Sequence, residues 1–264
     1  MFVREKKSAC IGLGFWYILN ILITPHGTSA GNGTSRGVIF FQEVHVMPIV
    51  EPQVKRTISF FDGQNLFHAA KEAFGYPYPN YDPHSLANAV CRQKGWALSG
   101  IRFYTGIPDP TIDPERHHFW TAKLAVMGTR GVKTFTRPIR YQNKLITLPN
   151  GAITTTPVGR EKGIDVRIAL DIVRFAIENR YDVAMVFSQD QDLSEAVDDI
   201  KLIAQREQRW IKVACAFPIS PTLKNKRGIN GADWIKIDRQ TYEACLDPND
   251  YRLKKKQGRL WETS

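Results

Sequence analysis

Carboxylate side chains follow apolar runs at two points of this 264-residue chain. The segment VFSQDQDL places Asp190 and Asp192 directly after a run that is typical of a buried strand. The segment FFDGQNL places Asp62 after another such run, with Asn65 three residues further on. An acid in such a position either caps a helix or closes a solvated turn, or it belongs to a cluster that binds a cation. The choice depends on whether these segments meet in the folded chain.

A third acid, Asp165, lies in the first turn of a predicted helix that begins near Gly163 and precedes the strand before Asp190. Taken alone, Asp165 is explained as a charge that complements the helix dipole. Asp171 lies about 9 Å further along the helix axis and is predicted to face elsewhere. Several ionised carboxylates at one place repel one another, and a divalent cation removes that repulsion. Oxygen ligands of this kind suit Mg²⁺ or Mn²⁺. We therefore predict a metal site formed by Asp62, Asp165, Asp190 and Asp192, with Asn65 as an accompanying amide that contacts a water or a phosphate.

These side chains converge only if the strands that they follow end at the same edge of a sheet. From residue 56 onward, apolar strands alternate with amphipathic helices. The predicted strands cover residues 56–61, 100–108, 132–141, 181–188, 211–217 and 233–238, and the predicted helices cover 65–74, 84–95, 115–131, 163–180 and 192–207. This β-α-β alternation predicts an α/β fold with an open, mostly parallel β-sheet and helices on both faces, in which the carboxyl ends of the strands share one edge.

A predicted β-hairpin interrupts this alternation, with its turn at Pro149-Asn150-Gly151. Basic residues flank the hairpin on both sides. They are Arg137, Arg140, Arg160 and Lys162. Each alone is explained as a solvated charge, but a basic rim around an acidic metal site fits the binding of a phosphodiester. We predict that these four side chains contact the substrate.

The chain carries a net charge of +10, from 36 Lys and Arg residues against 26 Asp and Glu residues. This excess favours a polyanionic partner, nucleic acid above all. The four cysteines, at positions 10, 91, 215 and 245, form no C-x-x-C pair, which argues against a zinc ribbon or a dense disulfide framework. Cys91 and Cys215 lie in apolar runs and are interpreted as core thiols, so we expect a reducing, cytoplasmic location.

The segment 1–50 has a basic start, an apolar run and then small polar residues, which is the layout of a secretory signal peptide. The run is short for a membrane span, which needs roughly 20 apolar residues. The alternatives are an anchor and a wrongly assigned start, with translation beginning at Met47. We expect the folded domain over residues 51–242, a basic tail over 243–264 and no stable membrane association.

Three segments together resemble a known family. FFDGQNL, REKGIDVRIALD and VFSQDQDL are similar, in order and spacing, to the signature segments of NYN domains, which belong to the PIN-like ribonuclease superfamily. The resemblance extends over about residues 56–240, and the pair Ala232-Asp233 in ADWIKID matches the closing strand of these domains. It implies a PIN-like fold and cleavage of RNA at an acidic pocket that binds Mg²⁺ or Mn²⁺. The family's acidic positions and its accompanying amide fall here on Asp62, Asp165, Asp190, Asp192 and Asn65.

The third segment departs from the family pattern, which commonly reads Ser-Gly-Asp-Ser-Asp-Phe. Gln189 stands in place of the glycine and Leu193 in place of the phenylalanine. A glutamine at this strand-end turn is expected to crowd the close approach of a phosphate. The resemblance therefore implies the metal ligands more directly than it implies the substrate.

Two alternatives stay open because family membership does not determine chemistry. One is an NADH-dependent hydroxylase acting on a small aromatic substrate, since NYN domains of this kind also resemble a protein labelled as a 6-hydroxy-3-succinoylpyridine hydroxylase of nicotine breakdown. The sequence contains no dinucleotide-binding fingerprint that would supply a cofactor for this reaction. The other is a non-catalytic module that binds RNA.

Overall fold

The computed structural model describes residues 48–147, 149, 151–223 and 225–253. Residues 1–47 of the N-terminal segment, residues 254–264 of the basic tail and Asn150 of the predicted hairpin turn lie outside the described residues, so their interpretation stays a prediction. Within the described ranges, no helix is both long and apolar enough to cross a membrane.

The strands form one central sheet and one separate ribbon. They are β1 Arg56–Asp62, β2 Ala97–Ile107, β3 Lys133–Pro138, β4 Arg140–Thr147, β5 Ile153–Arg160, β6 Val183–Phe187, β7 Lys212–Pro218 and β8 Asp233–Ile237. The central sheet has the order β3-β2-β1-β6-β7-β8, and every neighbouring pair in it is parallel. Since β1 and β6 are neighbours at the centre, their carboxyl ends lie side by side.

Helices cover both faces of this sheet. They are α1 Gly63–Phe74, α2 Pro83–Lys94, α3 Pro114–Thr129, α4 Ile164–Ile177, α5 Ser194–Arg206 and α6 Arg239–Glu243, with a short 3-10 helix at Gln191–Leu193. One apolar cluster packs α1, α2 and α3 against the sheet, and a second packs α4 and α5 against its other face. The adjacent strand residues Phe60 and Phe61 are both fully buried because they point into opposite clusters. The predicted α/β class with a mostly parallel sheet is thus confirmed.

The segment predicted as a strand over residues 132–141 divides at Pro138. Proline has no N–H group to donate, so the pairing of β3 with β2 ends there. The next N–H group, of Ile139, donates to the carbonyl of Ile107 (2.9 Å). Beyond it the chain enters the antiparallel ribbon of β4 and β5, which starts and ends near the carboxyl edge of the sheet.

Candidate functional site

Asp62 ends β1 in the middle of the sheet and is only 6% exposed. Both of its carboxylate oxygens accept hydrogen bonds. Oδ1 accepts from the backbone N–H of Asn65 (3.0 Å), which makes Asp62 the N-cap of α1. Oδ2 accepts from the hydroxyl of Ser188 (3.3 Å). These two bonds hold the carboxylate in one orientation at the carboxyl edge of the sheet.

The loop that follows β6 lies directly beside Asp62. Its first residue, Ser188, is buried, and the Ser188 hydroxyl also accepts from the backbone N–H of Asp190 (3.1 Å). A single hydroxyl therefore links the two acids that the sequence placed at neighbouring strand ends. Nothing in the sequence distinguished Ser188 from an ordinary loop serine, because its importance depends on which strand lies next to β6.

Asn65 was predicted to contact a water or a phosphate. Its amide oxygen accepts a hydrogen bond from the backbone N–H of Gln189 (2.8 Å), which ties the start of α1 to the loop after β6. This oxygen therefore has a positioning function. Among the described residues the NH₂ group of Asn65 has no hydrogen-bond partner, so it is available to an acceptor such as a phosphate oxygen.

Glu161 is a member of the site that sequence reasoning missed. It lies in the connection between β5 and α4, and its carboxylate accepts hydrogen bonds from the backbone N–H of Gly106 and from the hydroxyl of Thr105 (3.4 Å) at the end of β2. A Cβ atom at Gly106 would lie 2.6 Å from Oε1 of Glu161, so only glycine permits this approach. In the sequence Glu161 is flanked by Arg160 and Lys162, and an acidic residue between two basic residues is typical of a solvated turn.

Two carboxyl groups of the cluster have raised pKa values because they are buried and lie near other acids. Burial, followed by repulsion from Asp190 and Asp165, raises the pKa of Asp62 to about 6. Burial, followed by repulsion from Asp62 and Asp165, raises the pKa of Glu161 to about 7. Hydrogen bonds to each carboxylate act in the opposite direction but do not cancel these effects. The structure thus groups four acids, namely Asp62, Glu161, Asp165 and Asp190.

The acids contributed by α4 and by the loop after β6 differ in exposure. Asp165 lies in the first turn of α4, as predicted, and is half-buried. Asp190 is also half-buried, and its carboxylate accepts from the N–H of Asp192 (3.1 Å), so it caps the 3-10 helix while it faces the cluster. Asp192 is exposed at the outer side of this loop. The helix-cap explanation therefore holds for Asp190, and it does not exclude a function in the site.

Asp171 faces away from this cluster, as the helical spacing predicted. It is 1% exposed and accepts a hydrogen bond from the hydroxyl of Tyr104 (2.8 Å). Three guanidinium groups surround it at 3.0 to 3.3 Å, those of Arg102, Arg167 and Arg174. Asp171 is a structural residue of the interface between α4 and β2.

The glutamine that departs from the family pattern has a structural explanation. The side-chain amide of Gln189 donates to the carbonyl of Arg227 (2.8 Å), and Gln191 donates to the carbonyl of Gly228 (2.9 Å) and accepts from the N–H of Asn230 (3.2 Å). Both glutamines thus hold the segment after β7 against the loop after β6. In the repeated Asp-Gln pattern the glutamines make the loop contacts, while Asp190 faces the acidic cluster.

The basic residues predicted to form a rim lie around this edge. The guanidinium group of Arg137 lies over the N-terminus of α4, where a Cβ at Gly163 would be 2.6 Å from its Nη1 atom. Arg140 and Arg160 are directly opposite each other at the base of the ribbon, and Lys162 is exposed beside them. Their placement is consistent with a substrate anion above the acidic cluster.

The carboxylate oxygens of the cluster are suitable ligands for a hard divalent cation, but they do not form a complete coordination sphere. Among the described residues, no group of three or more His, Cys, Asp or Glu side chains is arranged to hold a metal ion. The donors are nevertheless all carboxylate oxygens, and burial with mutual repulsion is a cost that a cation would offset. Mg²⁺ commonly binds through one or two carboxylates and keeps several waters. Asp62 and Asp190, whose carboxylates lie close enough to repel each other, provide such a pair.

The fold and the acidic strand edge define a parallel α/β domain with carboxylates at the carboxyl edge of its sheet. The family model of the NYN domain matches residues 56–211, more than half of the chain. The chain therefore belongs to the NYN domain family, which confirms the resemblance read from the three sequence segments. No curated protein matches the chain.

Solved structures show only distant likenesses. A crystal structure of a Vibrio parahaemolyticus protein of unknown function is 19% identical, with 73% of this chain and 98% of that chain covered and a TM-score of 0.45. Acinetobacter baumannii MurG is 9% identical, with 61% and 35% covered and a TM-score of 0.26. A deacetylase of teicoplanin biosynthesis, in complex with teicoplanin, is 13% identical, with 60% and 68% covered and a TM-score of 0.26. These likenesses are too weak to carry an argument about function.

Proposed function

We propose that this protein is a metal-dependent endoribonuclease that hydrolyses RNA phosphodiesters with Mg²⁺ or Mn²⁺. The observation that carries the proposal is the convergence of Asp62, Glu161, Asp165 and Asp190 at the carboxyl edge of the sheet, two of them with raised pKa values. Open α/β sheets bind their ligands at this edge. Membership in the NYN family supports the same chemistry, because these domains resemble PIN-like nucleases.

The residues that the sequence predicts for the site are each assigned a function within this proposal. Asp62 and Asp190 would hold the cation, and Asp165 and Asp192, which the sequence also predicts as ligands, would add negative charge around its water shell. A divalent ion bound there supplies Lewis-acid stabilisation of phosphate charge and a more acidic water. Ser188 orients the carboxylates of Asp62 and the backbone of Asp190 through its hydroxyl. The NH₂ group of Asn65 would donate to a phosphate oxygen of the substrate.

The basic rim would bind the rest of the substrate. Arg137 lies at the start of α4, and Arg140 and Arg160 lie at the base of the ribbon with Lys162 next in the chain. Phosphate contacts from such side chains position a strand without reading its sequence. A net charge of +10 adds long-range attraction for RNA. The acidic centre alone would repel a polyanion, so the cation would be required for cleavage at the centre, while the basic residues would supply the attraction that binds the strand.

The proposal is tested by incubating labelled RNA with the purified protein and Mn²⁺, and with the Asp190→Asn variant. Asparagine preserves the helix cap but removes the charge, so we expect folding to be retained and cleavage to fall about 100-fold or more, which corresponds to roughly 3 kcal/mol of transition-state stabilisation. The matched control is Asp198→Asn on the exposed side of α5, which should cleave like the wild type.

Two results would contradict the proposal. Absence of cleavage by the wild-type protein with Mn²⁺, together with retained RNA binding, would identify a non-catalytic RNA-binding module. If Asp190→Asn cleaves RNA as fast as the wild type, the acidic cluster does not take part in the reaction. Neither the comparisons nor the described residues support the hydroxylase alternative, and NADH consumption dependent on a hydroxypyridine would be the result that revives it.

A further inference from the structure

The ribbon of β4 and β5 is a basic projection from the acidic edge. Its two strands pair over eight residues, which corresponds to a length of about 27 Å. From residue 133 to residue 160 the chain contains no acidic residue. It contains five basic ones, Lys133, Arg137, Arg140, Lys144 and Arg160. Almost all side chains of the ribbon are exposed or half-buried, so this charge is presented to solvent.

The pairing register divides the ribbon into two chemically different faces. Arg140 lies opposite Arg160, and Lys144 lies opposite Thr156, and because side chains alternate these residues share one face. We call Arg140, Lys144 and Arg160 the basic face. The opposite face contains the pairs Asn143↔Pro157 and Leu145↔Thr155 and has no charged residue.

The charges of the basic face are not neutralised within the described part of the chain. Arg140 and Arg160 form a like-charge pair directly across the two strands, an arrangement that destabilises a ribbon. None of the ion pairs within the described ranges involves Arg140, Lys144 or Arg160. By contrast, three arginines elsewhere in the protein share Asp171. An arrangement that is unfavourable in the free protein indicates that the anion comes from outside.

The basic face begins at the acidic cluster and leads away from it. Arg160 is the residue before Glu161, whose carboxylate contacts the end of β2. Lys144 lies four residues beyond Arg140 on the same strand, about 14 Å further along the ribbon. An extended polyanion lying on this face would therefore pass from the acidic edge toward the ribbon's turn.

We infer that the ribbon is an RNA-binding arm, whose basic face binds the phosphates of a single strand on one side of the cleaved bond. This inference rests on the proposed nuclease function and adds the element that would bind the RNA beyond the active-site edge. The contacts are to phosphates, so the arm binds without sequence preference. The two most exposed apolar side chains among the described residues of the ribbon, Leu145 (76%) and Ile153 (69%), lie on the opposite face in the pairing register, whereas the less exposed Ile146 (42%) lies on the basic face.

The arm is tested by RNA binding in EDTA, where no cleavage occurs. The variant with Arg140→Gln, Lys144→Gln and Arg160→Gln is compared with an opposite-face variant carrying Asn143→Gln, Leu145→Gln and Thr155→Gln. Fluorescence anisotropy with labelled single-stranded RNA is measured over a series of KCl concentrations. Loss of three phosphate contacts should lower affinity at least about tenfold and reduce the salt slope by about two, whereas the opposite-face variant should bind like the wild type.

A second variant separates binding from ribbon stability. Arg160→Glu would place a cross-strand ion pair opposite Arg140, so the ribbon should become at least as stable while RNA affinity falls. If Arg160→Glu and the triple variant both bind RNA with wild-type affinity, the proposal that the ribbon is an RNA-binding arm is wrong. Equal binding of duplex RNA by the wild type would overturn the assignment of a single strand.

The outcomes for the arm and for the nuclease are distinguishable. RNA binding that depends on the basic face, without any cleavage in Mn²⁺, would reject the nuclease and retain the arm as a binding element. Cleavage of RNA by the wild type, with undiminished affinity in the basic-face variants, would reject the arm alone. A change of oligomeric state in the opposite-face variant would instead identify the ribbon as a contact between copies of this chain.

Discussion

At the scale of single residues, Glu161 acquires its character from side chains that are distant in the sequence. Its carboxylate lies between the end of β2 and the start of α4, near Asp62 and Asp165. Burial and repulsion disfavour its charged form and raise its pKa to about 7. In the absence of a cation, its charge is therefore a cost to the folded protein.

Replacing Glu161 by glutamine should stabilise the metal-free protein. In Glu161→Gln the side-chain oxygen can still accept from Gly106, but the buried charge is removed. We expect the free energy of unfolding in EDTA at pH 8 to rise by about 1 to 2 kcal/mol, measured by urea unfolding. The stabilisation by added Mn²⁺ should fall at the same time, because one negative charge near the cation is lost.

The control for this change is Glu72→Gln on α1, an exposed acid whose replacement should alter neither quantity by more than about 0.5 kcal/mol. A destabilised Glu161→Gln protein in EDTA would contradict the view that the Glu161 charge is a burden in the free site.

At the scale of secondary-structure elements, the position of α1 depends on the absence of a side chain at its first residue. A Cβ atom at Gly63 would lie 2.7 Å from Cζ of Phe103 and 3.0 Å from the carbonyl oxygen of Tyr104. The hydroxyl of Tyr81 also donates to the Gly63 carbonyl (3.2 Å). The start of α1 is thus packed tightly against β2, and this contact determines where Asn65 meets the loop after β6.

Substitution of Gly63 by alanine should displace this end of α1. Because the neighbours include a backbone oxygen and a buried ring, we expect Gly63→Ala to lower the free energy of unfolding by about 1 to 3 kcal/mol. RNA cleavage should fall as well, since Asn65 and Asp62 are held by the same turn. Urea unfolding and the cleavage assay measure the two effects.

The chain offers a matched control for this substitution. A Cβ at Gly128, near the end of α3, would meet no atom within 4 Å. Gly128→Ala should therefore stabilise the protein by about 0.5 to 1 kcal/mol through helix propensity alone. If both variants change stability in the same direction, the packing explanation for Gly63 is wrong.

Most elements could be predicted from the sequence because each has a strong local signal. The apolar run before Ser188 and the helical spacing after Gly163 predict β6 and α4 to within a few residues. The short helix α6 was not predicted, since five residues provide too little periodicity. The break at Pro138 follows from a missing N–H group, a local property that the sequence also contains.

At the scale of the whole molecule, buried acids join segments that are far apart in the chain. Asp182 pairs with Arg56 (2.8 Å) across the start of β1, and Asp171 joins α4 to β2 through Tyr104 and Arg102. Burial by itself would raise the pKa of Asp171, but hydrogen bonds from Arg167 and Tyr104 and the nearby guanidinium charges outweigh it and hold its pKa below the ordinary value of 3.8.

This shift has a defined sign for the stability of the protein. A carboxyl group with a lowered pKa in the folded state stabilises the fold fully above its unfolded pKa of about 3.8, and the contribution is lost as the pH falls further. Asp171→Asn leaves three arginines without their anion, so we expect a loss of about 3 kcal/mol at pH 7. Urea unfolding at several pH values should show this difference shrinking below about pH 4.

Asp198→Asn serves as the comparison, because Asp198 forms only an exposed pair with Lys201 (2.7 Å). Its effect should stay below about 1 kcal/mol at every pH. A difference between wild type and Asp171→Asn that persists unchanged at pH 3 would show that the Asp171 charge is not the source of the stabilisation.

The sequence by itself determined the class of fold, the family and the positions of the acids at strand ends, because apolar runs, helical spacing and a following carboxylate are local patterns. Only the tertiary structure decided which polar groups meet. It brought Glu161 to Gly106, joined Ser188 to Asp62, turned the Asn65 oxygen toward Gln189 and placed Arg140 opposite Arg160. These partners lie 20 to 126 residues apart. Burial and electrostatic repulsion between such residues arise only when the sheet brings them together.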